Sequence, residues 1–240
     1  MKKLIAIALL LSLFVSCAAL AEETTVMSHA DFIAAELESE VVVVTYVQAK
    51  QGWWAKDGIG RASIYTQSPD GAYFLYDLLL EKDAYDQLVP GTKIKVTGYK
   101  AAWSGEVEIV DATYEILEAE AFIAEPVDVT ELLANEEELI AHQNELVAFK
   151  GMKVEAKNDA AFLYNWDGSG SAGNNNDLYF DVSVNGKTYT FTVESYLCAE
   201  GTDVYTAVTE LKIGDVIDME GYLYWYNGAN PHIISVKAAE

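Results

Sequence analysis

A twelve-residue segment occurs twice in this chain, and it constrains the fold more than any other feature. Leu88–Tyr99 reads LVPGTKIKVTGY and Leu211–Tyr222 reads LKIGDVIDMEGY. Leu88/Leu211, Gly91/Gly214, Ile94/Ile217, Gly98/Gly221 and Tyr99/Tyr222 are identical at one fixed offset, and Val96/Met219 is an apolar match. Self-similarity at a single offset means two copies of one folding unit. The repeat specifies an architecture and leaves the biological role open.

The N-terminus reads as an export signal. Met1-Lys2-Lys3 precedes an apolar block, Leu4 to Val15, and Ala19-Leu20-Ala21 precedes Glu22-Glu23. A basic start, a short apolar core and an Ala-x-Ala exit form a signal peptide over residues 1–21. Leu13 to Cys17 offers an alternative, a lipoprotein box with a lipid anchor at Cys17, but Phe14 is an unusual residue three before the cysteine. Cleavage after Ala21 is the better fit. Either route delivers a secreted or cell-surface protein. The apolar block is too short to span a bilayer, and no later segment could serve as a transmembrane helix.

Charge narrows the partners. Thirty-eight Asp and Glu face fifteen Lys and Arg, two of which are Lys2 and Lys3 of the leader, and Arg61 is the only arginine. Neutralising a phosphate backbone needs a basic surface, so nucleic acid is disfavoured as a partner. The carboxylates most simply keep an exported protein soluble. Beyond the leader Cys198 is the only cysteine, which excludes an internal disulfide and leaves stability to packed cores. With no histidine near it in sequence, Cys198 reads as a small buried residue rather than a reactive thiol.

Along the chain, Ser28 to Glu38 is a short helix capped by Ser28 and Asp31, and Val41 to Gln48 is a β-branched strand. Ala49 to Gly60 is a glycine-bearing loop with Trp53 and Trp54; Arg61 to Gln67 alternates as a half-buried strand. Ser68-Pro69-Asp70-Gly71 turns the chain into Tyr73–Leu78, and Glu81 to Leu88 is a helix stopped by Pro90-Gly91. Thr92 to Lys100 and Glu106 to Ile116 complete the unit around Trp103-Ser104-Gly105. Residues 119–145 form a junction in which Thr130 to His142 reads as one helix. The second unit starts with the strand Leu146–Val154; its first loop, Glu155 to Ala160, carries no aromatic. Ala161 to Asn165 starts the next strand, and Trp166 to Asp177 is a polar loop. A hairpin then turns over Asn185-Gly186, Thr202 to Leu211 is a helix, and Asp215–Tyr226 and His232–Val236 are the last strands.

Three strands, a helix and two strands is an order that resembles the OB-fold, a five-stranded Greek-key barrel. Gly91-x-x-Ile94-x-Val96-x-Gly98 and Gly105-x-x-Glu108-Ile109 carry the resemblance, over residues 41–118 and more loosely over 145–237. The first unit is also similar to domains of secreted bacterial proteins of unestablished function. The expected class is mainly β: two tandem OB-like barrels, each with a helix before it and a helix between its third and fourth strands. Residues 22–118 form barrel one with its leading helix, 119–145 the junction, and 146–240 barrel two.

The resemblance implies a ligand face across strands two and three, flanked by the loops between strands one and two and between strands four and five. In barrel one that brings together Trp53, Trp54, Tyr65 and Trp103 as candidate ligand-binding residues, whose rings could stack on a glycan or a protein side chain. The competing reading is that Trp53 and Trp54 plug the barrel mouth. Asp167 to Asp177 is rich in the hard oxygens calcium prefers, but Ala172 and Leu178 stand where an EF-hand needs Gly and Glu, so a flexible loop is favoured. His29, His142 and His232 have no metal-ligand spacing, and no nucleophile elbow or phosphate loop is present. No metal or cofactor is called for. The expectation is a non-catalytic, extracytoplasmic binding module; the alternative is an assembly protein whose aromatics pack barrels or subunits together. An enzyme ranks last, and oligonucleotide binding rests on fold analogy alone.

Overall fold

The structure, a computed structural model, describes residues 25–239. The expected leader and Cys17 lie outside the described residues. No helix among the described residues is long and apolar enough to cross a membrane.

Helix α1 (His29–Ala34) leads the first barrel, closed at its start by a reciprocal Ser28–Asp31 capping box. The barrel follows as β1 (Glu40–Lys50), β2 (Trp54–Lys56), β3 (Ile59–Ser68), β4 (Gly71–Leu79), α2 (Lys82–Gln87), β5 (Lys93–Trp103) and β6 (Glu106–Ile116). β1 pairs with both β3 and β5, β3 with β4, β5 with β6, and β4 runs parallel to β6, which closes a five-stranded ring.

The junction supplies β7 (Val127–Asp128), which pairs parallel with the second barrel's first strand. Two 3-10 turns, Thr130–Ala134 and Ile140–His142, flank α3 (Glu136–Leu139). Then come β8 (Leu146–Glu155), β9 (Leu163–Tyr164), β10 (Leu178–Val184), β11 (Lys187–Val193), α4 (Asp203–Thr209), β12 (Val216–Tyr222) and β13 (His232–Ala238). β8 pairs with β10 and β12, β10 with β11, β12 with β13, and β11 touches β13 in parallel. Both rings have the connectivity of the OB-fold, and the chain is two tandem OB-like barrels.

The repeated segment explains itself in three dimensions. Gly91 and Gly214 both take positive φ, +87° and +96°, and their N–H groups donate to equivalent carbonyls, Val47 and Val154, each at 2.8 Å. Ile94, Val96, Ile217 and Met219 point into the two cores. Gly98 and Gly221 sit at bulges where the next strand comes close. A Cβ would stand 2.8 Å from Val110 O in the first and 2.5 Å from His232 O in the second. Only glycine fits that approach.

Several expectations need correction. The helix over Thr130–His142 is broken, because Asn135 adopts φ −134°, ψ 86° and ends the first turn; asparagine competes with its own backbone and favours such breaks. The tryptophan loop contains a strand, β2, hairpinned onto β3. The second barrel's first connection is also longer than Glu155–Ala160. It runs to Asp177 before the ring resumes at β10, and it holds Phe162, Tyr164 and Trp166.

The expected half-buried strand over Arg61–Gln67 is buried on both sides from Ala62 to Ser68. Its outer face is covered by the second barrel. Tyr65, Phe74, Leu146 and Tyr222 form a core of their own between the barrels, with Tyr224 and Leu197 packed against it. Tyr65 stacks on Tyr222 with centroids 4.4 Å apart and planes 12° apart, and its hydroxyl shares a 2.9 Å hydrogen bond with His232 Nδ1. Gln67 Oε1 accepts the Leu146 N–H at 2.9 Å. The turn after β5 meets the turn after β12: Asn227 N donates to Ser104 O, and the Trp225 ring fills the space a Gly105 side chain would need.

Candidate functional site

The OB ligand face lies across strands two and three, here β3 and β4. In barrel one the second barrel occupies its centre, through Tyr65 and Phe74. Two concavities stay open: an apolar one of about 510 Å³ between α1, Ala72 and the junction residues Ile140–Asn144, and the margin beside β2, which alone holds one of the sequence-derived aromatics.

The four sequence-derived candidates do not share one surface. Tyr65 is 0% exposed, stacked in the seam, and faces no solvent. Trp53 folds inward against the barrel-one core and donates its Nε1–H to Leu80 O at 3.0 Å, in contact with Gly60, which has no room for a side chain. Trp53 therefore plugs the barrel mouth. Trp103, 62% exposed, ends β5 opposite Glu106 on the turn that meets the second barrel. Trp54 alone borders the open groove.

That groove, about 450 Å³, is lined by Gln51, Gly52, Trp54, Ser63, Tyr76, Asp77 and Tyr196. Three exposed aromatic rings, Trp54, Tyr76 and Tyr196, thus surround one concavity. A β-bulge builds its floor. Ala62 pairs with Leu78 and Ile64 with Leu75, so Tyr76 and Asp77 together oppose Ser63. Asp77 takes φ +49°, the left-handed conformation that aspartate adopts more readily than most residues, and its N–H donates to Ser63 Oγ at 3.2 Å. Bulges re-aim side chains. The Asp77 carboxylate accepts from Arg61 Nη1 at 3.4 Å, and the Arg61 guanidinium lies 5.6 Å from the Trp54 ring centre. The chain's only arginine thus sits at this groove. Glu108, nearly buried, is pushed up to about 7 by burial and by the charge of Asp77.

Tyr76, Asp77 and Tyr196 were missed by sequence reasoning. Alternation along β4 points Tyr76 outward and could have found it; Tyr196 belongs to the other barrel, and nothing local marks it.

No protein-family model matches the sequence, and no curated protein matches it. Among solved structures it is similar to a murine DNA-binding protein bound to double-stranded DNA, at 12% identity and TM-score 0.39, over 83% of this chain and 96% of that one. It is also similar to the tetrameric p202 HIN2, at 12% identity and TM-score 0.34, over 85% and 96%. A replication protein A heterotrimer bound to single-stranded DNA matches at 12% identity and TM-score 0.32, over 82% of this chain and 49% of that one. Superpositions this loose carry no argument about what this chain binds.

The seam beside the groove holds the most perturbed acid. Glu106 is fully buried, and burial pushes it up to about 8. Its Oε2 accepts from Trp225 N at 2.8 Å and Gln143 Nε2 at 3.2 Å. Its Oε1 is a buried acceptor without a partner among the described residues. Burial outweighs the hydrogen bonds from Asn144, Trp225 and Gln143 that favour the carboxylate, so the neutral acid is the form this seam suits. His232 is held neutral by burial, pushed down to about 3.

Elsewhere, the oxygens of the Asp167–Asp177 loop turn onto nearby backbone: Asp167 Oδ1 accepts from Ser169 N, Asn176 Oδ1 from Ser171 N, and Asp177 Oδ1 from Ser195 N. No group of three or more His, Cys, Asp or Glu able to hold a metal ion occurs among the described residues. Cys198 is buried, and burial pushes its thiol up to about 11. The arrangement at the groove suits stacking and hydrogen bonding, with rings for apolar faces and an Arg–Asp pair for hydroxyls.

Proposed function

We propose that this chain is a non-catalytic, extracytoplasmic binding module whose ligand is a glycan seated in the Trp54–Tyr76–Tyr196 groove. One observation carries the reading: three exposed rings surround a concavity whose floor holds a bulged aspartate paired with the only arginine of the chain. Sugar rings present apolar faces to aromatics and hydroxyls to charged pairs, and a neutral sugar escapes the repulsion a chain of formal charge −23 exerts on anions. The same repulsion speaks against nucleic acid.

Retention on an array of neutral and acidic polysaccharides tests this. Trp54→Ala should abolish retention while Trp103→Ala retains it; equal loss in both, or retention of single-stranded DNA at low salt in place of any sugar, would sink the reading. Mass spectrometry of the mature N-terminus tests export, with cleavage after Ala21 expected and a lipidated Cys17 the alternative.

A second reading has its own support. The aromatics of the seam pack barrel on barrel, and Trp103 and Trp166 remain strongly exposed outside the groove. Those rings suit an assembly role, contacting a second copy or another protein. Light scattering decides it: Trp103→Ala and Trp166→Ala change the oligomeric state under this reading and leave it alone under the first.

A further inference from the structure

Tyr196 stands on a turn whose backbone is pinned while its ring stays in water. The turn follows β11, and one carboxylate organises it. Glu194, itself nearly buried, accepts the Tyr196 N–H on Oε1 and the Leu197 N–H on Oε2, both at 2.9 Å. The same Oε2 accepts from Gln51 Nε2, on the other barrel, at 3.1 Å. Tyr196 O in turn accepts from Gly52 N at 2.6 Å. Gln51 is held from behind, its N–H donating to Ser63 O at 2.9 Å and its carbonyl accepting from Tyr85 OH at 3.0 Å. A continuous chain of hydrogen bonds therefore runs from α2 through the groove floor to a residue of the other barrel.

We infer that Glu194 is the positioning residue that holds Tyr196 in the groove beside Trp54, making the site one that neither barrel possesses alone, so that a bound sugar clamps the barrels together. The inference rests on the glycan reading above. Only a carboxylate meets the demand, because three N–H donors converge on its two oxygens. An amide would turn one NH2 toward an N–H and lose that bond. The 68% exposure of the Tyr196 ring fits a stacking platform, since the pinned turn gains nothing from an aromatic side chain in water. A ligand that touches Trp54 and Tyr196 binds only the docked arrangement and stabilises it by linkage.

The test labels the protein with 5-fluorotryptophan and follows the fluorine resonance of Trp54, assigned with Trp54→Phe, during titration with cellohexaose and with chitohexaose. Tyr196→Ala should weaken the sugar that binds by roughly tenfold, the scale of one lost stacking contact. Glu194→Ala should weaken it by a similar factor, and the double variant by no more than Tyr196→Ala alone. An unmoved Trp225 resonance reports that the seam is intact in each variant. Wild-type affinity in Tyr196→Ala overturns the two-barrel site while leaving the groove reading in place. Further weakening by Glu194→Ala in the Tyr196→Ala background overturns its positioning role. If neither sugar moves Trp54 in the wild type, the glycan reading fails by itself. The shared groove is then judged on unliganded spectra, where both variants must displace the Trp54 resonance and unchanged signals overturn it.

Discussion

The hairpin of strands two and three occurs once in each barrel, and the two copies live in different surroundings. In barrel two, β10 alternates as a half-buried strand should: Leu178, Phe180 and Val182 are inside, while Tyr179, Asp181 and Ser183 are only partly covered. In barrel one, β3 is buried without a break from Ala62 to Ser68, although its sequence alternates just as clearly. The difference comes from the second barrel, which lies across the outer face of the first and leaves its own equivalent face partly open. Docking is one-sided. A face that OB-like barrels commonly give to ligands is in barrel one given to the neighbour, and ligand space is displaced to the margin where Trp54, Tyr76 and Tyr196 meet.

The repeated tyrosine gives the largest test of that asymmetry. Tyr99 and Tyr222 end the same motif, yet Tyr99 is 44% exposed and Tyr222 is 3% exposed beneath Tyr65. Tyr222→Ala should destabilise by about 3–5 kcal/mol, as truncation of a buried aromatic does, whereas Tyr99→Ala should stay within roughly 0.5 kcal/mol. Urea unfolding of the pair measures both; equal effects would mean that the seam contributes no stability.

Glycine substitutions sharpen the comparison. Gly98→Ala and Gly221→Ala should each cost about 1–3 kcal/mol, because both drive a methyl into the neighbouring strand. Gly91→Ala and Gly214→Ala should separate. Both are strained by positive φ, at about 1–2 kcal/mol, but only the Gly91 methyl meets another side chain, 2.8 Å from Ala121 Cβ. Gly91→Ala should melt at the lower temperature of the two.

Protonation is a subtler lever on the seam. Glu106 has its carboxyl raised from the ordinary 4.5 to about 8 in the folded protein, so across that interval the native state keeps a proton the unfolded chain has lost. Stability should therefore fall as pH rises from about 4.5 towards 8. His232 acts from the opposite side, since it stays neutral down to about 3 while the unfolded imidazole protonates below 6.5, and stability falls there as pH drops. Glu106→Gln mimics the neutral acid. It should be near neutral at pH 4.5, stabilise by about 1–2 kcal/mol at pH 8, and flatten the alkaline slope of a melting-temperature profile. A variant that still loses stability between those pH values would assign the slope to Glu108 or Glu194, each raised to about 7.

The smallest effect is expected at the groove. Trp54→Ala should leave the melting temperature within about a degree or two, the size of an exposed substitution, while Trp53→Ala, which unplugs the barrel, should lower it severalfold more. Differential scanning calorimetry of these neighbouring tryptophans separates a binding residue from a packing one.

Much of the fold was legible locally. The repeat, the Ser28 cap, the Asn185-Gly186 turn and the alternation of β10 and β12 each arise from short-range physics: backbone preference, hydrogen bonding within a turn, and side-chain period. The site was less legible. Trp54 was singled out because a loop rarely carries two tryptophans without a packing partner or a ligand, but Tyr65 was assigned to an open face that the other barrel covers, and the helix over Thr130–His142 hid the break at Asn135.

By itself the amino-acid sequence determined two barrels of one kind, because every strand and turn of each ring is encoded within that ring. Which face of which barrel would be covered was decided only by tertiary structure. Docking depends on complementary shape between residues as distant as Tyr65 and Tyr222, or Gln51 and Glu194, and no period or propensity along the chain records such a match.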